Sequence, residues 1–162
     1  MITFTNTIRV LNEYGDKIRN LYRSKNLQAG YDPSSELQNI SYTVDSGAGN
    51  FSITFSLPDY WRYAENGRGP GKMPPKGSLM KWMQFKQILP QPVQLKSGRT
   101  VLPSMESLEF LIRRKIGREG TEGSHTWEQT ENDIKQSLIN DIKDALEKDF
   151  RKYMEDVLKN RK

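Results

Sequence analysis

The strongest pattern in the chain is Ile40-Ser41-Tyr42-Thr43-Val44-Asp45-Ser46-Gly47-Ala48-Gly49-Asn50-Phe51-Ser52-Ile53-Thr54-Phe55-Ser56-Leu57, in which apolar and polar side chains alternate on both sides of a glycine-rich turn. Because successive side chains of a strand point to opposite faces, this alternation predicts an antiparallel hairpin with one buried face. A two-stranded hairpin alone is only marginally stable in water. Helices must therefore cover its apolar face.

Long helical patterns lie on either side of the hairpin. Residues 7–27 carry apolar side chains at spacings of three and four, which predicts an amphipathic helix that Asn6 or Thr7 could cap. The same spacing from Ile134 to Val157 predicts a C-terminal helix of about 30 residues, on the order of 45 Å long. Such a helix is longer than a domain of this size is wide, so we expect its end to pack on a neighbouring subunit or to project into solvent.

The middle of the chain alternates short helices with irregular segments. Short helices are predicted over residues 59–66 and 79–86, and a central helix from Met105 to Gly117 or Gly120. Between them lie a flexible basic loop, 67–78, and an extended, proline-rich arm, 90–103. The fold class is therefore α+β, a single domain over residues 1–162. In it a small antiparallel sheet, formed by the hairpin and the arm, is packed by the N-terminal, central and long C-terminal helices.

Composition excludes several classes of chemistry. The 162 residues include no cysteine, which excludes disulfides, thiolate metal sites and cysteine nucleophiles, and His125 is the single histidine. Neither a signal-peptide pattern nor an apolar run long enough to span a bilayer is visible, so we expect a protein of a cytoplasm-like compartment that does not contact membranes. No catalytic, cofactor-binding or metal-binding set is predicted.

Positive charge is concentrated in the middle third of the sequence. Residues 61–120 contain 12 Lys and Arg against 4 Glu, whereas both ends are close to neutral. A polyanion or an acidic partner would meet this segment first, although the same cations also suit solubilising loops. The candidate residues for a subunit interface or a DNA-facing surface are Arg68, Lys72, Lys76, Arg99, Arg113, Arg114 and Arg118.

Two apparent motifs in this part of the chain have ordinary explanations. The run Gly67–Lys72 lacks the first glycine, the hydroxyl residue and the following helix of a phosphate-binding loop. His125 lies near Glu122 and Glu128, but without further ligands we expect an exposed loop histidine beside a helix that Thr126 or Thr130 caps.

The basic cluster and the aromatic residues leave alternatives open. The cations at 113–118 could contact DNA phosphates, pair with acids at Glu128, Glu131 and Asp133, or pair with a neighbouring molecule. Four aromatic residues could stack on bases, although such residues at helical spacing are more often core. They are Tyr60, Trp61, Tyr63 and Trp82.

Three segments together carry a resemblance to a known family. They are the run from Tyr60 to Gly71, Lys81-Trp82, and Ile116-Gly117-Arg118-Glu119-Gly120-Thr121. In these segments and in the order of its elements, nearly the whole chain resembles the tail-completion or neck proteins of tailed bacteriophages, which join head to tail.

The resemblance implies a non-enzymatic virion subunit, assembled in the host cytoplasm, that forms a ring of six or twelve copies in the neck or tail. Its partners would be further copies, adjoining connector, portal or tail proteins, and genomic DNA bound without sequence specificity in the lumen. The alternative is a small basic nucleic-acid-binding or regulatory protein that uses residues 61–120. A carboxylate-dependent nuclease ranks last, because no cluster of acids lies near the basic centre.

Overall fold

The computed structural model describes residues 3–47 and 50–160. Its contacts divide the chain into two compact units. The helical unit joins the N-terminal segment up to Trp61 with the C-terminal segment from His125, and the basic unit is Arg62–Ser124. Each unit is described by itself.

The helical unit contains two long helices and the predicted hairpin. Its elements are α1 (Thr5–Gln28), a 3-10 turn (Glu36–Gln38), β1 (Ser41–Asp45), β2 (Ser52–Ser56) and, later in the chain, α5 (Thr126–Lys159). The remaining elements belong to the middle of the chain: α2 (Trp61–Asn66), β3 (Gly67–Arg68), α3 (Met80–Phe85), β4 (Val93–Gln94), β5 (Thr100–Val101), α4 (Met105–Glu119) and β6 (Thr121–Glu122).

The hairpin forms as the alternation predicts. Strands β1 and β2 are antiparallel, with Ser41 opposite Ser56 and Val44 opposite Ile53. In both strands every second residue is half-buried and its neighbours are exposed. The predicted turn includes residues 48 and 49, which lie outside the described residues.

A glycine inside α1 lets the hairpin lie close to that helix. A Cβ placed on Gly15 would be only 2.2 Å from the Tyr42 ring, so a larger residue could not occupy the position without displacing the ring. The Tyr42 hydroxyl also donates to the carbonyl oxygen of Asn12 over 3.1 Å. The helix therefore gives up some intrinsic helix propensity in exchange for contact with the sheet.

Helices α1 and α5 form the apolar core of this unit. The buried cluster contains Val10 and Tyr14 from α1 and Ile134 and Ala145 from α5, and Ile53 of the hairpin packs against it. The helices run antiparallel, since the start of α1 meets the later part of α5. The Tyr14 hydroxyl donates to the Asp141 carboxylate over 2.6 Å across this contact.

The start of α1 is capped by a residue from the other end of the chain. Asp149 accepts hydrogen bonds from the backbone N–H groups of Asn6 (3.1 Å) and Thr7 (2.9 Å), and from the side chains of both. The prediction that Asn6 or Thr7 caps the helix is wrong, because both lie inside α1 and donate to this carboxylate. Burial by itself would raise the pKa of Asp149, but these hydrogen bonds outweigh it and hold the pKa below its ordinary value.

The start of α5 makes a tertiary contact with α1. The Thr126 hydroxyl donates to the Asn26 side chain over 2.9 Å. Thr130 lies within the helix and its hydroxyl donates to the Thr126 carbonyl, so Thr130 does not cap the helix. The residue before the helix is His125, whose side chain makes no capping bond. A hydrogen bond to α1 thus holds this end of the helix.

The C-terminal helix is as long as predicted and leaves apolar side chains exposed near its end. Its 34 residues span about 51 Å at 1.5 Å per residue. Met154 and Leu158 are exposed over more than half of their surface.

The predicted α+β class is confirmed, with helices and small antiparallel sheets. The hairpin and the arm do not share a sheet, however: among the described residues the strands form three separate two-stranded sheets. Within that described part, no helix is long and apolar enough to cross a membrane.

Candidate functional site

Apart from Tyr60 and Trp61, the three segments singled out in the sequence lie in the basic unit, and two of their glycines are required by backbone contact. Strand β3 pairs with β6, with Gly67 opposite Glu122 and Arg68 opposite Thr121. A Cβ on Gly67 would lie 2.1 Å from the Thr121 carbonyl oxygen, and one on Gly120 would lie 2.1 Å from that of Arg68. Both glycines have φ in the left-handed region, at +72° and +81°. These glycines therefore allow β3 and β6, which are distant in the sequence, to pack closely against each other.

The basic loop that follows β3 is tied to α4 and to itself. The Gly71 N–H donates to the Gly117 carbonyl over 2.8 Å. Arg68 donates to the Lys72 carbonyl over 2.6 Å, and Arg113 donates to the Pro74 carbonyl over 2.7 Å. Arg68 and Arg113 are half-buried in these contacts, so two of the seven candidate cations hold the loop's backbone. The flexibility predicted for residues 67–78 stays a prediction.

The other five candidate cations are exposed. They are Lys72, Lys76, Arg99, Arg114 and Arg118. Arg118 is paired with Glu119 over 2.5 Å, and its hydrogen bond lowers the pKa of that carboxyl. Lys72 and Lys76 belong to the loop, and Arg99 belongs to the arm.

Two of the three acids proposed as partners for the 113–118 cluster have partners within the helical unit. Asp133 forms an ion pair with Lys25 over 2.7 Å, and Glu128 lies 3.4 Å from His125. The histidine side chain is about half exposed, as predicted for a loop residue. Among the described residues, no group of three or more His, Asp or Glu side chains is placed to hold a metal ion.

The four aromatic candidates separate into two kinds. Trp61 is half-buried, with its ring centroid 6.4 Å from that of Trp127. Tyr60, Tyr63 and Trp82 are exposed, to 36%, 65% and 43%. The expectation that all four belong to the core is therefore wrong for these three: Tyr63 and Trp82 lie on exposed faces of short helices, and Tyr60 lies in the turn before α2.

The arm is the predicted small hairpin and is almost entirely exposed. Strand β4 pairs with β5, with Val93 opposite Val101, and the Leu95 N–H donates to the Arg99 carbonyl over 2.8 Å. Every residue from 91 to 100 is exposed. Its apolar side chains share this exposure, at 48% for Val93, 45% for Leu95 and 68% for Leu102.

A cleft beside α4 is a feature that the sequence did not indicate. The α4 cleft is open to solvent, has a volume of about 510 Å³ and is lined by Lys76, Glu106, Ser107, Glu109, Phe110, Leu111 and Arg113. Phe110 and Leu111 are about half exposed there. Leu111 is one of the apolar residues whose spacing predicts α4, and its side chain is exposed in the structure.

Two carboxylates lie in the α4 cleft. Glu109 is 2% exposed, and the Leu79 N–H approaches its Oε1 at a long 3.4 Å. Glu106 lies in the first turn of α4, where hydrogen bonds from its own N–H and the Ser104 hydroxyl lower its pKa, assisted by the charge of Lys76. The cleft therefore places one exposed carboxylate, that of Glu106, beside exposed apolar side chains and near Lys76.

Comparison with known proteins adds no further assignment: no family model, no curated protein and no solved structure matches this chain.

Proposed function

We propose that this chain is a non-enzymatic structural subunit of a ring that joins head to tail in a tailed bacteriophage, in the neck or the tail-completion region, around the DNA channel. The observation that carries the proposal is the exposed arm: it is a short hairpin that presents valine and leucine side chains to solvent. Exposed apolar groups in one contiguous segment are typical of surfaces that another protein covers. The resemblance to tail-completion and neck proteins suggests that the covering protein belongs to a phage neck or tail ring.

The charge of the basic unit suits this role. Its loop presents Lys72 and Lys76, and α4 presents Arg114, all exposed. A surface of this kind attracts DNA phosphates without reading sequence, which is what a channel for passing DNA needs. It also suits an acidic adjoining ring. During assembly the subunit is a host-cytoplasmic protein, and afterwards it belongs to the virion.

The rival function is a small basic nucleic-acid-binding or regulatory protein that uses residues 61–120. A specific observation favours it: Tyr63 and Trp82 are exposed within this segment, where aromatic rings can stack on unpaired bases. The two functions differ in the isolated chain. A dedicated binder holds nucleic acid tightly as a free protein, whereas a ring subunit has weak affinity until many copies act together.

The experiment compares the wild-type chain with the double variant Lys72→Glu, Lys76→Glu. Arg68 and Arg113 are left intact because they hold the loop's backbone. Lys143→Glu, an exposed site on α5, is the matched control. Binding to single-stranded and duplex oligonucleotides is followed by fluorescence anisotropy across a salt series, and production of tailed particles is followed in parallel.

The ring proposal predicts weak binding by the free chain and loss of complete particles in the double variant only. Tight binding by the free chain that the double variant loses, with particle yield unchanged, would overturn the proposal in favour of the rival.

A further inference from the structure

The middle of the chain contains a long stretch without acidic residues. No Asp or Glu occurs between Glu65 and Glu106, although the whole chain contains 20 acids among its 162 residues. The cations of this stretch are Arg68, Lys72, Lys76, Lys81, Lys86, Lys96 and Arg99. A surface built from such a segment attracts anionic groups.

Helix α3 lies within this acid-free stretch and exposes two aromatic rings between two lysines. Trp82 and Phe85 are 43% and 42% exposed, and residues three apart lie on one side of a helix. Lys81 and Lys86 are also exposed, and the Lys86 ammonium group lies 5.9 Å from the centroid of the Phe85 ring. We call these four residues the α3 band.

The α3 band is supported by a buried side chain and has no exposed acid on its own helix. Met83 is 0% exposed and anchors α3 in the basic unit. The Leu79 N–H approaches the Glu109 carboxylate just before α3 begins, but Glu109 is only 2% exposed. The exposed side of α3 therefore combines positive charge with apolar surface.

The aliphatic side chains of the same stretch favour a lipid over a nucleic acid. Leu89, three residues after Lys86, is 65% exposed, and Leu102 is 68% exposed. Bases stack on aromatic rings, and an aliphatic side chain has no ring to offer them. The hydrocarbon of a bilayer covers aliphatic and aromatic side chains alike.

The short elements of this stretch favour a lipid surface over a protein partner. Helix α3 has six residues, and strands β4 and β5 have two residues each. Protein partners commonly add a strand to a sheet edge or lay a helix into a groove, and both modes need longer elements. A bilayer surface accepts side chains individually and needs neither.

We propose that the α3 band binds the surface of a membrane that contains anionic lipids. Trp82 and Phe85 insert at the level of the headgroups, and Lys81 and Lys86 pair with lipid phosphates. Such a contact needs no spanning segment, so the lack of a long apolar run, from which we expected no membrane contact, does not argue against it. It goes beyond the proposed function, because a ring around DNA does not require a membrane.

The experiment measures binding of the full chain to vesicles by flotation. One set of vesicles contains phosphatidylcholine and phosphatidylglycerol in equal parts, and the other contains phosphatidylcholine alone. The variant Lys81→Glu, Lys86→Glu reverses the charge of the α3 band, and Trp82→Ala, Phe85→Ala removes its rings. Far-UV circular dichroism and urea unfolding check that each variant keeps the fold.

Two matched controls place the same changes on exposed sites of α5. Lys143→Glu, Lys148→Glu makes the same change in net charge, and Phe150→Ala, Met154→Ala removes exposed apolar side chains. Each control is compared with the band variant of the same kind, so a general effect of charge or of hydrophobicity would show in both.

We expect wild type and both controls to bind the anionic vesicles, with affinity about tenfold higher than for phosphatidylcholine alone. Each band variant should lose about tenfold in affinity for the anionic vesicles. Absence of binding by wild type, equal binding to both kinds of vesicle, or unchanged binding by the band variants would overturn the proposal.

Quenching by brominated lipids tests whether Trp82 itself enters the membrane. The tryptophan emission of wild type should be quenched on anionic vesicles that contain brominated chains. The variant Trp82→Phe keeps an aromatic ring, so it should still bind, but its quenching should be much weaker. Equal quenching in this variant would show that another tryptophan inserts and would contradict the assignment to the α3 band.

Oligonucleotide binding provides the competing outcome. If single-stranded or duplex oligonucleotides bind wild type, the band variants lose that binding and vesicles do not bind, the α3 band belongs to nucleic acid and the lipid proposal is overturned. Vesicle binding is measured on the free chain, whereas the ring is tested in particles. Failure of one proposal is therefore distinguishable from failure of the other.

Discussion

Replacing Asp149 with alanine is predicted to destabilise the helical unit, because four donors would lose their acceptor together. The carboxylate accepts the N–H groups and side chains of Asn6 and Thr7, and Thr7 is fully buried. Removing a helix cap costs about 0.5–2 kcal/mol, and a buried donor left without a partner costs about 1–3 kcal/mol. Water can reach Asn6 and offset part of its loss, so we expect a total of about 3 kcal/mol.

The assay is urea unfolding followed by far-UV circular dichroism, with Asp144→Ala as the control, since Asp144 is an exposed acid on the same helix. For a chain of this size about 3 kcal/mol corresponds to a fall in Tm of roughly 6–12 °C. The control should stay within about 0.5 kcal/mol of wild type. A change at Asp149 no larger than that of the control would refute the capping role.

The pKa of Asp149 adds a pH dependence with a definite sign. Its folded-state pKa lies below the unfolded value of about 4, so the unfolded state binds more protons as the pH falls through that window. The stabilisation is therefore fully present above about pH 4 and is lost as the pH drops through the folded-state pKa. The Asp149→Asn variant should be less stable at neutral pH and should show a flatter acid limb.

Three further substitutions test separate contacts, each by urea unfolding. Gly15→Ala should destabilise the chain while the Tyr42 ring is present. In a Tyr42→Ala background, where only helix propensity remains, the same substitution should stabilise the chain by about 0.5–1 kcal/mol. The same sign in both backgrounds would contradict the contact. Gly67→Ala should lower the free energy of unfolding by well over the roughly 1 kcal/mol expected for Gly77→Ala. Both glycines have positive φ, but only Gly67 faces a backbone carbonyl. Equal losses would contradict the steric role of Gly67. Tyr14→Phe should lower the free energy of unfolding by about 1 kcal/mol at neutral pH. Burial and a nearby carboxylate raise the pKa of Tyr14 in the folded state, so wild type loses stability above about pH 10, and the variant should lose less.

Local patterns predicted the elements of the helical unit because its buried side chains recur at the regular spacings of strands and helices. Alternation between Ile40 and Leu57 gave the hairpin, and spacings of three and four gave α1 and α5. The cap on α1 was not predicted because Asp149 lies 142 residues from Thr7, and the local sequence around either residue does not indicate this hydrogen bond. A carboxylate on an amphipathic helix usually faces water, so its burial is a tertiary property.

The basic unit was harder to predict, since its strands are two residues long and carry no period. The β3–β6 pair depends on Gly67 and Gly120, whose role follows only from the backbone that each one faces. The α4 cleft was missed because helical spacing alone does not distinguish exposed apolar side chains, such as Phe110 and Leu111, from buried ones. The exposed cations could be predicted from composition, but the bracing roles of Arg68 and Arg113 could not.

Quantitative peptide mass spectrometry on gradient-purified phage particles from the source tests the central proposal most directly. A structural ring subunit should be present at six or twelve copies per particle, relative to a capsid protein of known copy number. A chain that stays in the lysate and is absent from complete particles would contradict the proposed function.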